Sequence, residues 1–129
     1  MNWNFERGEG RHKHRWKQDE AGFQPGRNGS IGKCHRSITE ELATEILNKG
    51  VPVYNDPEDS YPGKIYTLYR GVIYEAVPTT PGVSWHGYPW RGDLPGRPGL
   101  PRSVKNKLES MAQHTGYSEE YEKWLKQYG

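Results

Sequence analysis

The chain has 129 residues, and only 32% of them are hydrophobic, although they include five Trp, nine Tyr and two Phe. This length predicts a single domain, residues 1–129, with a small core built largely from aromatic rings. A lone cysteine, Cys34, excludes an intrachain disulfide. No segment approaches the ~20 apolar residues of a membrane helix, and the N-terminus lacks the apolar run of a signal peptide, so we expect a cytoplasmic protein that does not bind membranes.

The net charge of +2 conceals an uneven distribution of charge. Residues 1–36 contain eight Lys or Arg against four acidic residues, whereas the remainder contains ten against twelve. Such a basic segment favours RNA or another polyanion as a partner, the alternative being a solvated arm without one. Residues 1–33 show no sustained hydrophobic period, so we expect an irregular, basic N-terminal arm held to the body by its aromatic residues: Trp3, Phe5, Trp16 and Phe23.

The first predicted element is a helix over residues 37–49. Ser37 and Glu40 have the spacing of a capping box, and Gly50 is suited to end the helix. Its apolar residues fall on one stripe, as in an amphipathic helix: Ile38, Leu42, Ile46 and Leu47.

A small sheet is predicted next. The segment KIYTLYRGVIYEAV indicates either a hairpin of about 64–69 and 72–77 around Arg70-Gly71, or one long strand with a glycine bulge. The TTPG segment, residues 79–82, predicts a turn, and VSWHGYPW predicts a further short strand.

Two helices, residues 102–115 and 118–128, are predicted to complete the chain. Gly116 would end the first and Ser118 would cap the second. The predicted fold class is therefore α+β, with a small antiparallel sheet packed with one helix before it and two helices after it.

The N-terminal third contains side chains whose atom types suit zinc: His12, His14, Cys34 and His35. Their spacings match no common structural zinc module, and the basic residues of RHKHRW would repel a cation. We therefore expect no metal and no other cofactor.

The histidines also suit proton transfer, because histidine titrates near neutral pH. Metal-free RNA cleavage needs a general base, a general acid and a cation that stabilises the phosphorane. His86 lies in SWHGYPWRG, after a Pro-Gly turn and among aromatic residues, although a histidine in such a setting can equally be a packed core residue. The candidate catalytic residues are His86, His12, His14, His35 and Arg70.

A second set of residues has the chemistry to contact nucleic acid, because cations bind phosphates and aromatic rings stack on bases. Its members are Arg11, Lys13, Arg15, Trp16, Lys33, Arg36, Tyr69, Trp85, Tyr88 and Arg91.

The hairpin sequence and HGYPW, followed by LPRSVKNKLES, resemble the C-terminal part of bacterial polymorphic-toxin RNase domains of the barnase-, EndoU-, colicin- and RelE-like folds. The resemblance covers residues 64–110. It implies a small α+β domain that cuts RNA without metal, with His86 as acid or base and Arg70 as phosphate ligand. It also implies a cognate protein inhibitor and a larger delivery protein. The basic RHKHRW segment has no counterpart in those domains.

Two functions therefore remain open at the level of sequence. The first is a metal-independent endoribonuclease with histidine acid/base catalysis. The alternative is a non-catalytic module that binds nucleic acid or protein through its basic arm and an aromatic surface.

Overall fold

The computed structural model describes residues 4–5, 22–26, 29–33, 38–93 and 99–129. Seven strands are present in this part of the chain: β1 (Asn4–Phe5), β2 (Gly22–Gly26), β3 (Gly29–Lys33), β4 (Val51–Val53), β5 (Lys64–Tyr69), β6 (Val72–Thr80) and β7 (Ser84–Pro89). Three helices accompany them: α1 (Glu40–Asn48), α2 (Arg102–Thr115) and α3 (Ser118–Tyr128). The main sheet has the order β1-β7-β6-β5-β4, and β4 to β7 are antiparallel. The α+β fold predicted from the sequence is confirmed.

The helices cover the two faces of the main sheet. On one face α1 contributes Leu47, which packs with Ile65 and Trp85 of the sheet. On the other face α2 and α3 bury their apolar stripes against Tyr66 and Ile73. The buried helix residues on that side are Val104, Leu108, Ala112, Tyr121 and Trp124. Successive strand residues point to opposite faces, so both faces of β5 and β6 carry core side chains.

The hairpin alternative is confirmed for residues 64–80. Arg70 and Gly71 form a two-residue connection in which both residues have positive φ, +50° and +82°. This is the conformation that a type I′ turn requires, and its twist matches the strands that it joins. Gly71 also lies against α3, since a Cβ there would be 2.9 Å from the backbone nitrogen of Tyr121.

The predicted start of α1 is wrong. The helix begins at Glu40 with Thr39 as its N-cap, and the Thr39 hydroxyl accepts a hydrogen bond of 3.2 Å from the Leu42 amide. The capping role expected of Ser37 thus belongs to Thr39, and Ser37 itself lies outside the described residues. Gly50 follows the end of α1, as predicted, but its role is not the expected one of a left-handed helix terminator. Its φ is not left-handed; instead a Cβ would lie 2.6 Å from the Ile65 side chain, so Gly50 permits close packing of the chain on β5.

The two C-terminal helices end and begin close to the predicted residues. Gly116 has φ +81°, and the Tyr117 amide donates to the Ala112 carbonyl at 2.9 Å, as in a Schellman cap. The cap predicted at Ser118 is wrong, because Tyr117 occupies the N-cap position and makes no side-chain capping bond.

Strands β1, β2 and β3 lie within the N-terminal segment, where the sequence predicted no regular structure. β1 pairs with β7 in parallel, and β2 pairs with β3 as a hairpin. None of the three helices is long and apolar enough to cross a membrane.

Candidate active site

The pairing register places several polar side chains on one face of the sheet. Glu75 is opposite Tyr88, and Val77 is opposite His86. On the other side of β6, Ile65 pairs with Ala76, so the preceding residue of β5, Lys64, lies opposite Val77. Residues directly opposite each other point to the same face, and so do alternate residues of one strand. His86, Glu75, Tyr88 and Lys64 therefore share the face on which α2 and α3 pack. Glu75 and Tyr88 lie in the row of Tyr66, which those helices bury, and Lys64 and His86 lie in the next row.

Glu75 is the buried centre of this group. It is only 4% exposed, which is unusual for a carboxylate. The Tyr88 hydroxyl donates a short hydrogen bond to Glu75 Oε1. On the other side Lys64 Nζ lies 3.7 Å from Glu75 Oε2, and the Lys64 side chain is 39% exposed. These partners compensate for the removal of a carboxylate from water.

His86 is oriented by a threonine. Thr79 Oγ1 and His86 Nδ1 share a hydrogen bond of 2.8 Å. The pairing of β6 with β7 shifts between Pro78 and Thr80, so Thr79 lies at an irregularity of the ladder, the kind of place where side chains are commonly re-aimed. Since Thr79 engages Nδ1, proton transfer by this ring would run through Nε2.

Lys64, Val77 and His86 form one row across three neighbouring strands. Neighbouring strands are ~4.8 Å apart, so the backbones of Lys64 and His86 are separated by roughly 10 Å, with Val77 between them. Glu75 and Tyr88 occupy the next row. This spacing suits a phosphate group placed over Val77.

The structure does not bring Arg70 to this site. Arg70 is at the tip of the β5–β6 hairpin, and its guanidinium lies 5.4 Å from the ring centroid of Tyr69. His86 pairs with Val77, which is five residues along β6 from Val72, the first residue after the hairpin tip. Five residues of a strand span roughly 17 Å. Arg70 and His86 therefore cannot act on the same phosphate in this arrangement.

The aromatic residues predicted to stack on bases are mostly part of the core. Trp85 is 0% exposed and lies on the α1 face of the sheet. Tyr69 packs on the same face, beside Ile38 and Tyr74. Only Tyr88 of the three belongs to the polar face, where it holds Glu75.

Arg91 is engaged in an ion pair within its own loop. Its Nε and Nη2 atoms donate to the two carboxylate oxygens of Asp93 at 2.7 and 2.8 Å, and its guanidinium lies 5.3 Å from the ring centroid of Tyr128. Hydrogen bonding to Asp93 raises the pKa of Arg91, and the same bond lowers the pKa of Asp93. This geometry assigns Arg91 a structural contact between the β7 end and α3.

The remaining predicted residues lie outside the described residues, or have only their backbone described. Lys33 ends β3, some of whose Cα atoms are within 8 Å of Cα atoms of β7. Among the described residues, no three His, Cys, Asp or Glu side chains form a group that could hold a metal ion. The predicted residues outside the described ranges are Arg11, His12, Lys13, His14, Arg15, Trp16, His35 and Arg36.

Sequence reasoning missed Glu75, Lys64 and Thr79. The alternation within a correctly predicted hairpin could have placed Lys64 and Glu75 near each other. The register of β7, which brings His86 and Tyr88 beside them, depends on the irregularity at Thr79 and is not readable from local patterns.

No protein-family model, curated protein or solved structure matches this chain. Its function must therefore be inferred from the chemistry of the site itself.

Proposed function

We propose that the protein is a metal-independent endoribonuclease whose active site consists of Lys64, Glu75, His86 and Tyr88. The observation that carries this proposal is the placement of a histidine, a carboxylate and an ammonium group on one face of the sheet, around Val77. These are the parts that phosphodiester transfer requires when no metal takes part: a base, an acid and a cation.

The reaction assigns one role to each group. Glu75 accepts the proton of a ribose 2′-hydroxyl, and the 2′ oxygen attacks the adjacent phosphorus. The bond from phosphorus to the 5′ oxygen breaks, and His86 in its protonated form donates a proton from Nε2 to that oxygen. Lys64 neutralises charge on the phosphorane. The products are a 2′,3′-cyclic phosphate and a free 5′-hydroxyl, so atoms and protons balance.

Tyr88 and Thr79 are positioning residues in this scheme. The Tyr88 hydroxyl fixes the carboxylate of Glu75, and the Thr79 hydroxyl fixes the imidazole of His86. Rigid placement matters because acid/base catalysis depends on hydrogen-bond reach to the proton that is transferred.

The alternative, a binding module with an aromatic surface, receives less support from the described residues. Trp85 is fully buried, and Tyr69 is partly buried on the α1 face with the Arg70 guanidinium over its ring. The resemblance to bacterial toxin RNase domains belongs to the proposal in a modified form. Lys64 takes the role of phosphate ligand that the resemblance gave to Arg70, and a cognate protein inhibitor is an expected partner.

The test is cleavage of an end-labelled RNA in excess EDTA. A matched strand carries a single 2′-deoxyribose, which removes the nucleophile at one position only. We expect cleavage of the all-ribose strand at sites that include this position, no cleavage there in the substituted strand, and cyclic phosphate termini on the products. Cleavage at the deoxyribose, or loss of all cleavage in EDTA, would contradict the mechanism.

A further inference from the structure

Three large hydrophobic side chains are exposed in the part of the chain that the structure describes: Tyr54 (41%), Tyr61 (37%) and Val83 (55%). All three lie at the same end of the main sheet. Tyr54 directly follows β4, Tyr61 precedes β5, and Val83 lies in the turn between β6 and β7. Because β4 to β7 are antiparallel, the β4–β5 loop and the β6–β7 turn must meet at one end.

This exposed end borders the candidate active site. Lys64 comes three residues after Tyr61, and His86 comes three residues after Val83, so each is within about 10 Å of its loop residue along the chain. The loop and the turn also touch each other. Gly82 has φ +77°, and a Cβ on it would lie 3.4 Å from the Tyr61 ring. The turn therefore supports one edge of the ring beside the site.

Charged residues of opposite sign flank Tyr61: carboxylates of the β4–β5 loop precede it and Lys64 follows it. The β4–β5 loop is acidic, and two of its carboxylates accept hydrogen bonds from the loop backbone: Asp59 from the Asp56 amide at 3.1 Å, and Asp56 from the Glu58 amide at 3.0 Å. These carboxylates would repel a phosphate, whereas Lys64 attracts one. A nucleotide bound here would direct its phosphate toward Lys64 and His86, and its base toward Tyr61.

We infer that the Tyr61 ring, bordered by Gly82, is a base-stacking subsite for a nucleotide beside the phosphate that is cleaved. This inference rests on the proposed function and defines its substrate as an unpaired RNA strand, because only an unstacked base can offer its face to a side chain. Stacking uses the π-face that all bases share, so the subsite tolerates different bases.

The experiment measures binding separately from cleavage. A His86→Ala protein, in which catalysis is blocked, is titrated against a short fluorescent single-stranded RNA and against an abasic strand of the same length. RNA is expected to bind more tightly than the abasic strand by about 5- to 160-fold, the range for one stacked base. Adding Tyr61→Ala is expected to remove this difference, whereas Tyr61→Phe, which keeps the aromatic face, is expected to preserve it. An unchanged urea midpoint would show that each variant is folded.

The outcomes separate the subsite from the reaction. Equal affinity for RNA and the abasic strand, or unaltered RNA affinity after Tyr61→Ala, would overturn the subsite even if the wild-type protein cleaves RNA. Tyr61-dependent RNA binding by a wild-type protein that cleaves nothing would support the subsite and refute the proposed reaction. Binding to neither strand would also overturn the subsite.

Discussion

Replacing Glu75 with Gln tests the buried carboxylate without changing its shape. At 3.7 Å from Lys64, the ion pair has a gross Coulomb energy of about 4 kcal/mol at an effective dielectric constant of about 20. Desolvation of the carboxylate and the solvent exposure of Lys64 cancel most of this energy. The hydrogen bond from Tyr88 loses about 1 kcal/mol when its acceptor becomes neutral. We therefore expect Glu75→Gln to lower the free energy of unfolding by about 1–2 kcal/mol.

Activity should respond far more strongly than stability to this substitution. An amide cannot accept the 2′-hydroxyl proton, so RNA cleavage is expected to fall by about 100-fold or more. Urea unfolding followed by tryptophan fluorescence measures the first effect, with an unchanged slope as the sign of an intact native state. Cleavage of end-labelled RNA measures the second. A variant that unfolds at the wild-type midpoint and cleaves RNA within about threefold of the wild-type rate would refute both the charge pairing and the catalytic role, because the predicted loss for a general base is at least 100-fold.

Two further predictions concern the fold that holds the site. Gly71→Ala is expected to destabilise the protein by about 2–5 kcal/mol, because the backbone there is left-handed and the added Cβ would clash with α3. Gly99→Ala is the control: an added Cβ would meet no atom within 4 Å, so the urea midpoint should shift little. Comparable midpoints for the two variants would contradict the I′ turn packing. Burial raises the pKa of Tyr121, so its proton stabilises the native state fully below about pH 10 and this contribution is lost as the pH rises through the folded-state pKa. Tyr121→Phe should therefore make the free energy of unfolding decrease less steeply with pH above pH 10. At neutral pH the substitution should cost about 0.5–1.5 kcal/mol, because the hydrogen bond to the Lys105 carbonyl is lost. The same dependence on pH above pH 10 in the variant and the wild type would refute the raised pKa of Tyr121.

The elements that were predicted well are those whose signals are local. The Arg70-Gly71 pair between two β-rich segments indicated a hairpin as one of two alternatives, and the positive φ of both residues shows that the hairpin is the correct one. Gly116, which also has positive φ, identified the end of α2. The start of α1 was predicted wrongly because Ser37 and Thr39 both have capping hydroxyls, and the choice between them depends on where the helix docks.

The site was less predictable, since it depends on pairing between strands. His86 was singled out for its aromatic, loop-like surroundings; the structure shows that Thr79 contacts it and that Glu75 and Lys64 lie on the same face of the sheet. Trp85, its neighbour in sequence, points to the opposite face and is buried, as the period of two in a strand requires. A change of one residue in the β6–β7 register would exchange these faces, and no local pattern fixes that register.

The measurement that tests the central claim most directly is RNA cleavage in excess EDTA by three proteins: the wild type, His86→Ala and His114→Ala. His114 is the matched control, because it is exposed on α2, where its Nδ1 contacts the Ser110 carbonyl at 2.8 Å within its own helix. We predict cleavage by the wild type and by His114→Ala at similar rates, and loss of about 100-fold or more in a folded His86→Ala protein. Equal activity of all three proteins, or no cleavage by any of them, would contradict the assignment of a metal-independent ribonuclease site to His86.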